Sequence, residues 1–128
     1  MVPTETGAAP SSTRDGRRWE QYAETFLTGR GMRCIARNHR CRGGEIDLIM
    51  LACELVVFVE VRYRRSTRFG SAAESVDRRK QQRIICAAQD FLMHHEQYAN
   101  YPCRFDVLAL GGKTAAPDCD WIAGAFSA

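Results

Sequence analysis

The stretch LVVFVEVRYRRS, residues 55–66, begins with five consecutive apolar residues and then carries charges at alternate positions. Such an apolar run predicts a strand that is buried on both faces. Because alternate residues of a strand point to the same face, Glu60 and Arg62 are expected to leave one face side by side. Burying a charge is costly unless the charge is paired or coordinates a metal. The stretch therefore predicts either an ion pair or a metal site.

The composition is that of a globular protein with one domain. The chain has 128 residues, of which 45% are hydrophobic and 26% charged, enough for one core but too few for two. Residues 1–13 are rich in Pro, Gly, Ser and Thr, which predicts a disordered tail before a single domain over residues 14–128. No segment has the pattern of a secretory signal or a membrane span. The six cysteines form neither a Cys-x-x-Cys pair nor a zinc-site spacing, so we expect a cytoplasmic protein with reduced thiols.

Basic residues are concentrated in one part of the chain. Between Arg14 and Arg83 lie 16 of the 18 basic residues but only 9 of the 15 acidic ones. A local excess of this kind is compatible with a polyanionic partner such as nucleic acid. A solvated, arginine-rich surface is the alternative, and charge alone does not separate the two.

Apolar spacing and turn residues predict an α/β fold. Residues 16–27 have the spacing of an amphipathic helix that ends at Gly29 or Gly31, with Glu20 at the border of its apolar stripe. A second helix, with its N-cap at Ser75 or Asp77, lies between two predicted strands, which favours a right-handed parallel crossover. The predicted strands, in chain order, are MRCIARNHR, GEIDLIM, residues 55–64, CRFDVLAL and a short last strand, WIAGAF.

The second and third strands are expected to pair as a hairpin that brings two acids together. With a two-residue turn at 52–53, Asp47 would face Phe58 and Glu60 would face Glu45. Asp47 and Glu60 would then lie diagonally on one face of the sheet. A four-residue turn would keep them on that face, whereas a three-residue turn would separate them.

Two neighbouring carboxylates repel each other unless a cation lies between them. Mg²⁺ or Mn²⁺ fits, because hard divalent cations take carboxylate and water oxygens as ligands. Glu20 is a third candidate ligand, from the first helix. The alternatives are an ordinary ion pair between Glu60 and Arg62, a turn-capping role for Asp47 and a solvated Glu20.

Several ordered motifs point to one family. The runs RNHRCRGGEIDLIM, VFVEVRYRRS, FGSAAESVDRRKQQRI and CRFDVLAL, together with GRRWEQYAETFL and WIAGAF, closely resemble the bacterial YraN-type family of uncharacterised proteins. That family is assigned to the restriction-endonuclease-like, PD-(D/E)xK fold and is distantly similar to archaeal Holliday junction resolvases. The resemblance implies a core in the order α-β-β-β-α-β, with a mixed central sheet flanked by helices.

The resemblance also implies a metal-nuclease site. Its acids would be Glu20, Asp47 and Glu60, and Arg62 would stand where the superfamily has lysine. Arginine stays protonated, so Arg62 could clamp a phosphate but could not act as a general base. A polar residue of the following helix often joins such a site, and the candidates here are Lys80 and Gln81.

Three functions remain open from the sequence. The first is a Mg²⁺- or Mn²⁺-dependent nuclease acting on DNA, with branched or single-stranded DNA as candidate substrates. The second is a nucleic-acid-binding module without activity, and the third is a protein-interaction domain. Resolvase-like proteins tend to pair, so a homodimer also remains open. The residues predicted to contact nucleic acid are Arg40, Arg42, Arg62, Arg65, Arg68 and Lys80.

Overall fold

The computed structural model of the chain describes residues 10–64, 76–112 and 117–128. Within these residues, five strands form one sheet in the order β1-β2-β3-β4-β5. Strands β3 and β4 are parallel, and all other neighbours are antiparallel. The predicted α/β class, with a mixed sheet flanked by helices, is confirmed. The elements are α1 (Pro10–Thr28), β1 (Arg33–Cys41), β2 (Gly44–Ala52), β3 (Leu55–Arg64), α2 (Arg78–Met93), a 3-10 turn (Glu96–Tyr98), β4 (Cys103–Gly111) and β5 (Asp118–Phe126).

The ends of the two helices refine the sequence prediction. Helix α1 begins at Pro10, so it includes residues 10–13 of the predicted tail, while residues 1–9 lie outside the described residues. Helix α2 has Asp77 as its N-cap, and the Asp77 carboxylate accepts from the Lys80 amide at 2.9 Å. Neither described helix is long and apolar enough to cross a membrane.

The central strand β3 is buried on both faces, which explains its unbroken apolar run. Val57 and Val59 lie in a cluster that α1 covers through Ala23 and Leu27. The alternate residues of β3 lie in a second cluster that α2 covers from the opposite face. That second cluster includes Val56, Phe58, Ile84, Ala88 and Phe91. Since Glu60 and Arg62 continue the alternation of Phe58, they belong to the face that α2 covers.

The β2–β3 register differs from the predicted one. Ala52 pairs with Leu55, so the turn lies at residues 53–54, one residue later than expected. Ile49, and not Asp47, faces Phe58, and the predicted partners of both acids were wrong. Because the turn still contains two residues, the alternation of faces is unchanged, and Asp47 and Glu60 remain on one face.

The turn between β1 and β2 packs tightly against α2. A Cβ atom added to Gly44 would overlap the backbone carbonyl of Arg83. A Cβ atom on Gly43 would lie 2.6 Å from the Cys86 sulfur. The two glycines therefore allow the turn, which begins at Arg42, to touch the middle of α2.

Candidate functional site

Asp47 lies where the β2–β3 ladder ends. The paired residues of this ladder run from Ala52–Leu55 to Leu48–Val59. One residue beyond, the Asp47 carboxylate Oδ2 accepts a hydrogen bond from the Val61 amide at 2.8 Å. A side-chain oxygen thus takes the place of a backbone acceptor, and this contact fixes the orientation of the Asp47 carboxyl group.

Glu60 is buried between two cations. Only 4% of the residue is exposed. Its Oε2 atom lies 3.5 Å from the Lys80 Nζ atom of α2 and 3.8 Å from the Arg62 Nε atom of β3. A buried carboxylate needs such partners, because desolvation of an unpaired charge is costly. The sequence placed Arg62 beside Glu60, and the packing of α2 adds Lys80.

Glu20 reaches the same place from α1. Its carboxyl group lies next to the side chains of Asn38 and Asp47, of which Asn38 lowers and Asp47 raises the pKa of Glu20. Asn38 has a φ of 51°, a left-handed conformation that asparagine tolerates better than most residues. Sequence reasoning missed Asn38, although an asparagine inside a predicted strand was a signal for a residue with positive φ. Glu20, Asp47 and Glu60 together form what we call the carboxyl cluster.

The pKa values of the carboxyl cluster are raised, which favours either protonated carboxyl groups or a bound cation. Burial and the neighbouring Asp47 charge raise the pKa of Glu60 to about 8, although Lys80 and Arg62 partly offset them. The same two causes raise the pKa of Glu20 to about 7. Burial also raises the pKa of Asp47, and the hydrogen bond from Val61 opposes that rise. Three acids in contact cannot all ionise at little cost unless positive charge joins them.

The donor chemistry of the carboxyl cluster fits a hard divalent cation. Carboxylate oxygens are the ligands that Mg²⁺ and Mn²⁺ prefer. Within the described part of the chain, however, no group of three or more His, Cys, Asp or Glu side chains is arranged to hold a metal ion. Asp47 instead lies next to both other acids, and its charge raises the pKa of Glu20 and of Glu60. To bind a cation, the three carboxyl groups would have to be ionised and turned toward a common centre.

Of the other predicted site residues, Gln81 makes a structural hydrogen bond, whereas Arg40 and Arg42 lie on the surface. The Gln81 side-chain amide donates to the Val76 carbonyl at 3.0 Å, which ties α2 to the segment before it. Arg40 is exposed, with its Nε atom 3.7 Å from Glu45 Oε1. Arg42 is exposed in the β1–β2 turn. The predicted contact residues Arg65 and Arg68 lie outside the described residues.

In the absence of divalent metal, the free energy of unfolding is expected to fall as the pH rises from about 5 to about 8. The pKa of Glu60 lies at about 8 in the folded chain, against an ordinary value of 4.5. Over this interval the folded state keeps a proton that the unfolded state has released. The stabilisation from protonated Glu60 is therefore complete below its ordinary pKa of 4.5 and is lost as the pH rises through about 8. A slope on the order of 1 kcal/mol per pH unit is expected in urea denaturation with EDTA.

The matched control for this pH dependence is Glu60→Gln. Glutamine has the shape of the protonated acid but does not titrate. The slope should become shallower in Glu60→Gln, whereas equal slopes in the two proteins would show that Glu60 is not the responsible group.

Comparison with known proteins places the chain in a family. The family model described as "Uncharacterised protein family UPF0102" matches residues 19–110. A UPF0102 protein of Pseudomonas putida is 50% identical over 120 residues, covering 93% of this chain and 97% of the relative. A UPF0102 protein of Stutzerimonas stutzeri is 52% identical over 115 residues, covering 90% and 96%. All members of the carboxyl cluster lie inside the matched range, and the chain belongs to the uncharacterised protein family UPF0102.

Proposed function

We propose that the chain is a divalent-metal-dependent nuclease that hydrolyses phosphodiester bonds in DNA. The observation that carries the proposal is the buried carboxyl cluster with Lys80 and Arg62 against it. Acids that can hold a metal, together with cations that can hold a phosphate, are the components of a phosphodiesterase site. The resemblance to restriction-endonuclease-like proteins supports the same assignment.

Each residue of the site has a role in this proposal. Glu20, Asp47 and Glu60 hold Mg²⁺ or Mn²⁺. When bound, the metal supplies a Lewis acid for the phosphate and lowers the pKa of water. Arg62 donates to a phosphate oxygen and stabilises the negative charge that develops on it, because its guanidinium stays protonated. Lys80, whose Nζ atom lies 3.5 Å from Glu60, holds that carboxylate in place and adds positive charge.

A second candidate is a nucleic-acid-binding module that has kept the fold without cleavage. The observation that favours it is Arg62, because an arginine cannot deprotonate the attacking water. Binding by such a module would depend on salt and would survive the loss of Asp47.

The test is a cleavage assay on junction, flap, single-stranded and duplex DNA and on RNA. Each substrate is incubated with Mg²⁺, with Mn²⁺ and with EDTA. Cleavage of DNA that requires metal is the expected result. Binding without cleavage would contradict the nuclease and support the second candidate. Neither binding nor cleavage would support the protein-interaction domain.

Restoring lysine at position 62 is expected to increase the rate of metal-dependent cleavage by about tenfold or more. Lysine can release its proton when partly buried, whereas arginine cannot, so Arg62→Lys regains a group for proton transfer. Single-turnover rates of Arg62→Lys, Arg62→Ala and the unchanged chain give the comparison. Arg62→Ala should be slower than the unchanged chain. Equal rates in all three would show that position 62 takes no part in the reaction.

A further inference from the structure

An exposed group of arginines lies beside the carboxyl cluster. Arg78, Arg79 and Arg83 are exposed on the first half of α2, and Arg42 is exposed in the β1–β2 turn. We call these four residues the basic face. Only Arg42 among them was predicted to contact nucleic acid.

The position of these cations is unfavourable for the helix itself. Arg78, Arg79 and Lys80 follow the N-cap directly, and the first turn of α2 has no acidic residue. The N-terminus of a helix carries partial positive charge, so cations there destabilise it by a few tenths of a kcal/mol to about 1 kcal/mol each. Among the described residues, Asp77 accepts from the Lys80 amide as the N-cap, and Glu60 contacts the Lys80 side chain. Helix stability therefore does not explain three consecutive cations at this end.

Packing joins the two parts of the basic face into one surface. Gly44 packs so closely on the Arg83 backbone that no Cβ atom fits between them. The turn that contains Arg42 is thus held against the helix next to Arg83. The nearest acid of β2, Glu45, has its Oε1 atom 3.7 Å from the Arg40 Nε atom. Positive charge consequently runs from the β1–β2 turn along α2 to Lys80, which contacts the carboxyl cluster through Glu60.

We infer that the basic face binds the phosphate backbone of DNA on one side of the phosphate held at the carboxyl cluster. This inference rests on the proposed function, since it extends the same site. Arg79 and Arg83 are one helical turn apart, about 6 Å along the axis, so their guanidinium groups can follow successive phosphates of one strand. Contacts of this type fix the position of the DNA without reading its sequence.

The test measures binding of a fluorescein-labelled DNA duplex and single strand by anisotropy in EDTA, where metal-dependent cleavage does not occur. The variant Arg79→Glu/Arg83→Glu should bind about tenfold more weakly or worse. The slope of log K against log salt should become shallower by roughly two units, and the loss should be the same for different DNA sequences. Circular dichroism checks the fold, and Arg79→Gln/Arg83→Gln is the milder second variant.

The matched control is Arg30→Glu/Arg33→Glu, which changes the net charge by the same amount. Arg33 pairs with Leu51 near the opposite end of β2 from Gly44, about 20 Å away along the strand. An equal loss of affinity in the two double variants would overturn the inference, as would the absence of binding by the unchanged chain at low salt. Selective loss in the α2 variant, in a chain that never cleaves with Mg²⁺, would contradict the nuclease but support the basic face.

Discussion

Replacing Asp47 with asparagine is expected to lower metal-dependent DNA cleavage by more than about 100-fold. Loss of a residue that only hydrogen-bonds to a metal ligand typically costs about 10- to 100-fold, and Asp47 is proposed to be a ligand itself. Asparagine can still accept from the Val61 amide, which Asp47 accepts at 2.8 Å, so the local backbone has the same partner. What the variant lacks is the negative charge that would hold Mg²⁺ or Mn²⁺. Single-turnover cleavage across a range of metal concentrations measures the effect.

Two controls separate a catalytic role from a structural one. Glu54→Gln removes a carboxylate from the exposed β2–β3 turn and should leave the rate within about twofold. In EDTA at about pH 8, Asp47→Asn should be at least as stable as the unchanged chain, because it takes one charge out of the carboxyl cluster. Normal cleavage by Asp47→Asn, or a loss of activity that merely follows unfolding, would contradict the proposed role of Asp47.

Replacing Asp106 with alanine is expected to destabilise the fold by about 3 kcal/mol. Asp106 lies on β4 and is completely buried. Its carboxylate accepts from Arg104 through two hydrogen bonds, from the Trp121 indole at 2.9 Å and from the Gly124 amide at 2.9 Å. Trp121 and Gly124 belong to β5, so this one carboxylate fastens the last strand to the sheet. Its removal would leave several donors without an acceptor, which is more costly than the loss of one hydrogen bond.

Urea denaturation of Asp106→Ala, beside Asp120→Ala, tests this expectation. Asp120 is an exposed acid of β5, and its loss should change the free energy of unfolding by no more than about 0.5 kcal/mol. Similar midpoints for the two variants would mean that the Asp106 network contributes little net stability. Removing one partner of a buried ion pair usually costs about 3–5 kcal/mol. The side chain of Arg104 is 32% exposed, so water can solvate part of its charge once Asp106 is removed. We therefore expect a loss at the lower end of that range.

The sequence was sufficient for the features that depend on alternation along one strand. The apolar run of β3 predicts burial on both faces, and the two core clusters on either side of the sheet agree with it. Alternation likewise placed Glu60 and Arg62 on one common face of β3. The predicted β2–β3 register was wrong, but Asp47 and Glu60 still lie on one face. The reason is that the observed turn contains two residues, as the predicted turn did. Side-chain direction in a strand is a local property, so it can be predicted without knowledge of the rest of the fold.

Contacts between distant segments could not be obtained in this way. The sequence offered Lys80 and Gln81 equally as residues near the acids, yet Lys80 contacts Glu60 while the Gln81 amide contacts the Val76 carbonyl. The difference depends on the rotation of α2 about its axis, which the packing of its apolar face decides. Asp106 was no more conspicuous than any other acid, because its partners in β5 are brought to it by a change of register between β4 and β5.

The amino-acid sequence by itself determined the order of the elements, the burial of β3 and the common face of Glu60 and Arg62. These follow from periodicities of two and 3.6 residues, which are set by backbone geometry. Only the tertiary structure decided that Glu20 meets Asp47, that Lys80 meets Glu60, and that Glu20 and Glu60 both lie close enough to Asp47 for its charge to raise their pKa values. These depend on how two helices pack across a sheet, where small shifts determine which side chains touch.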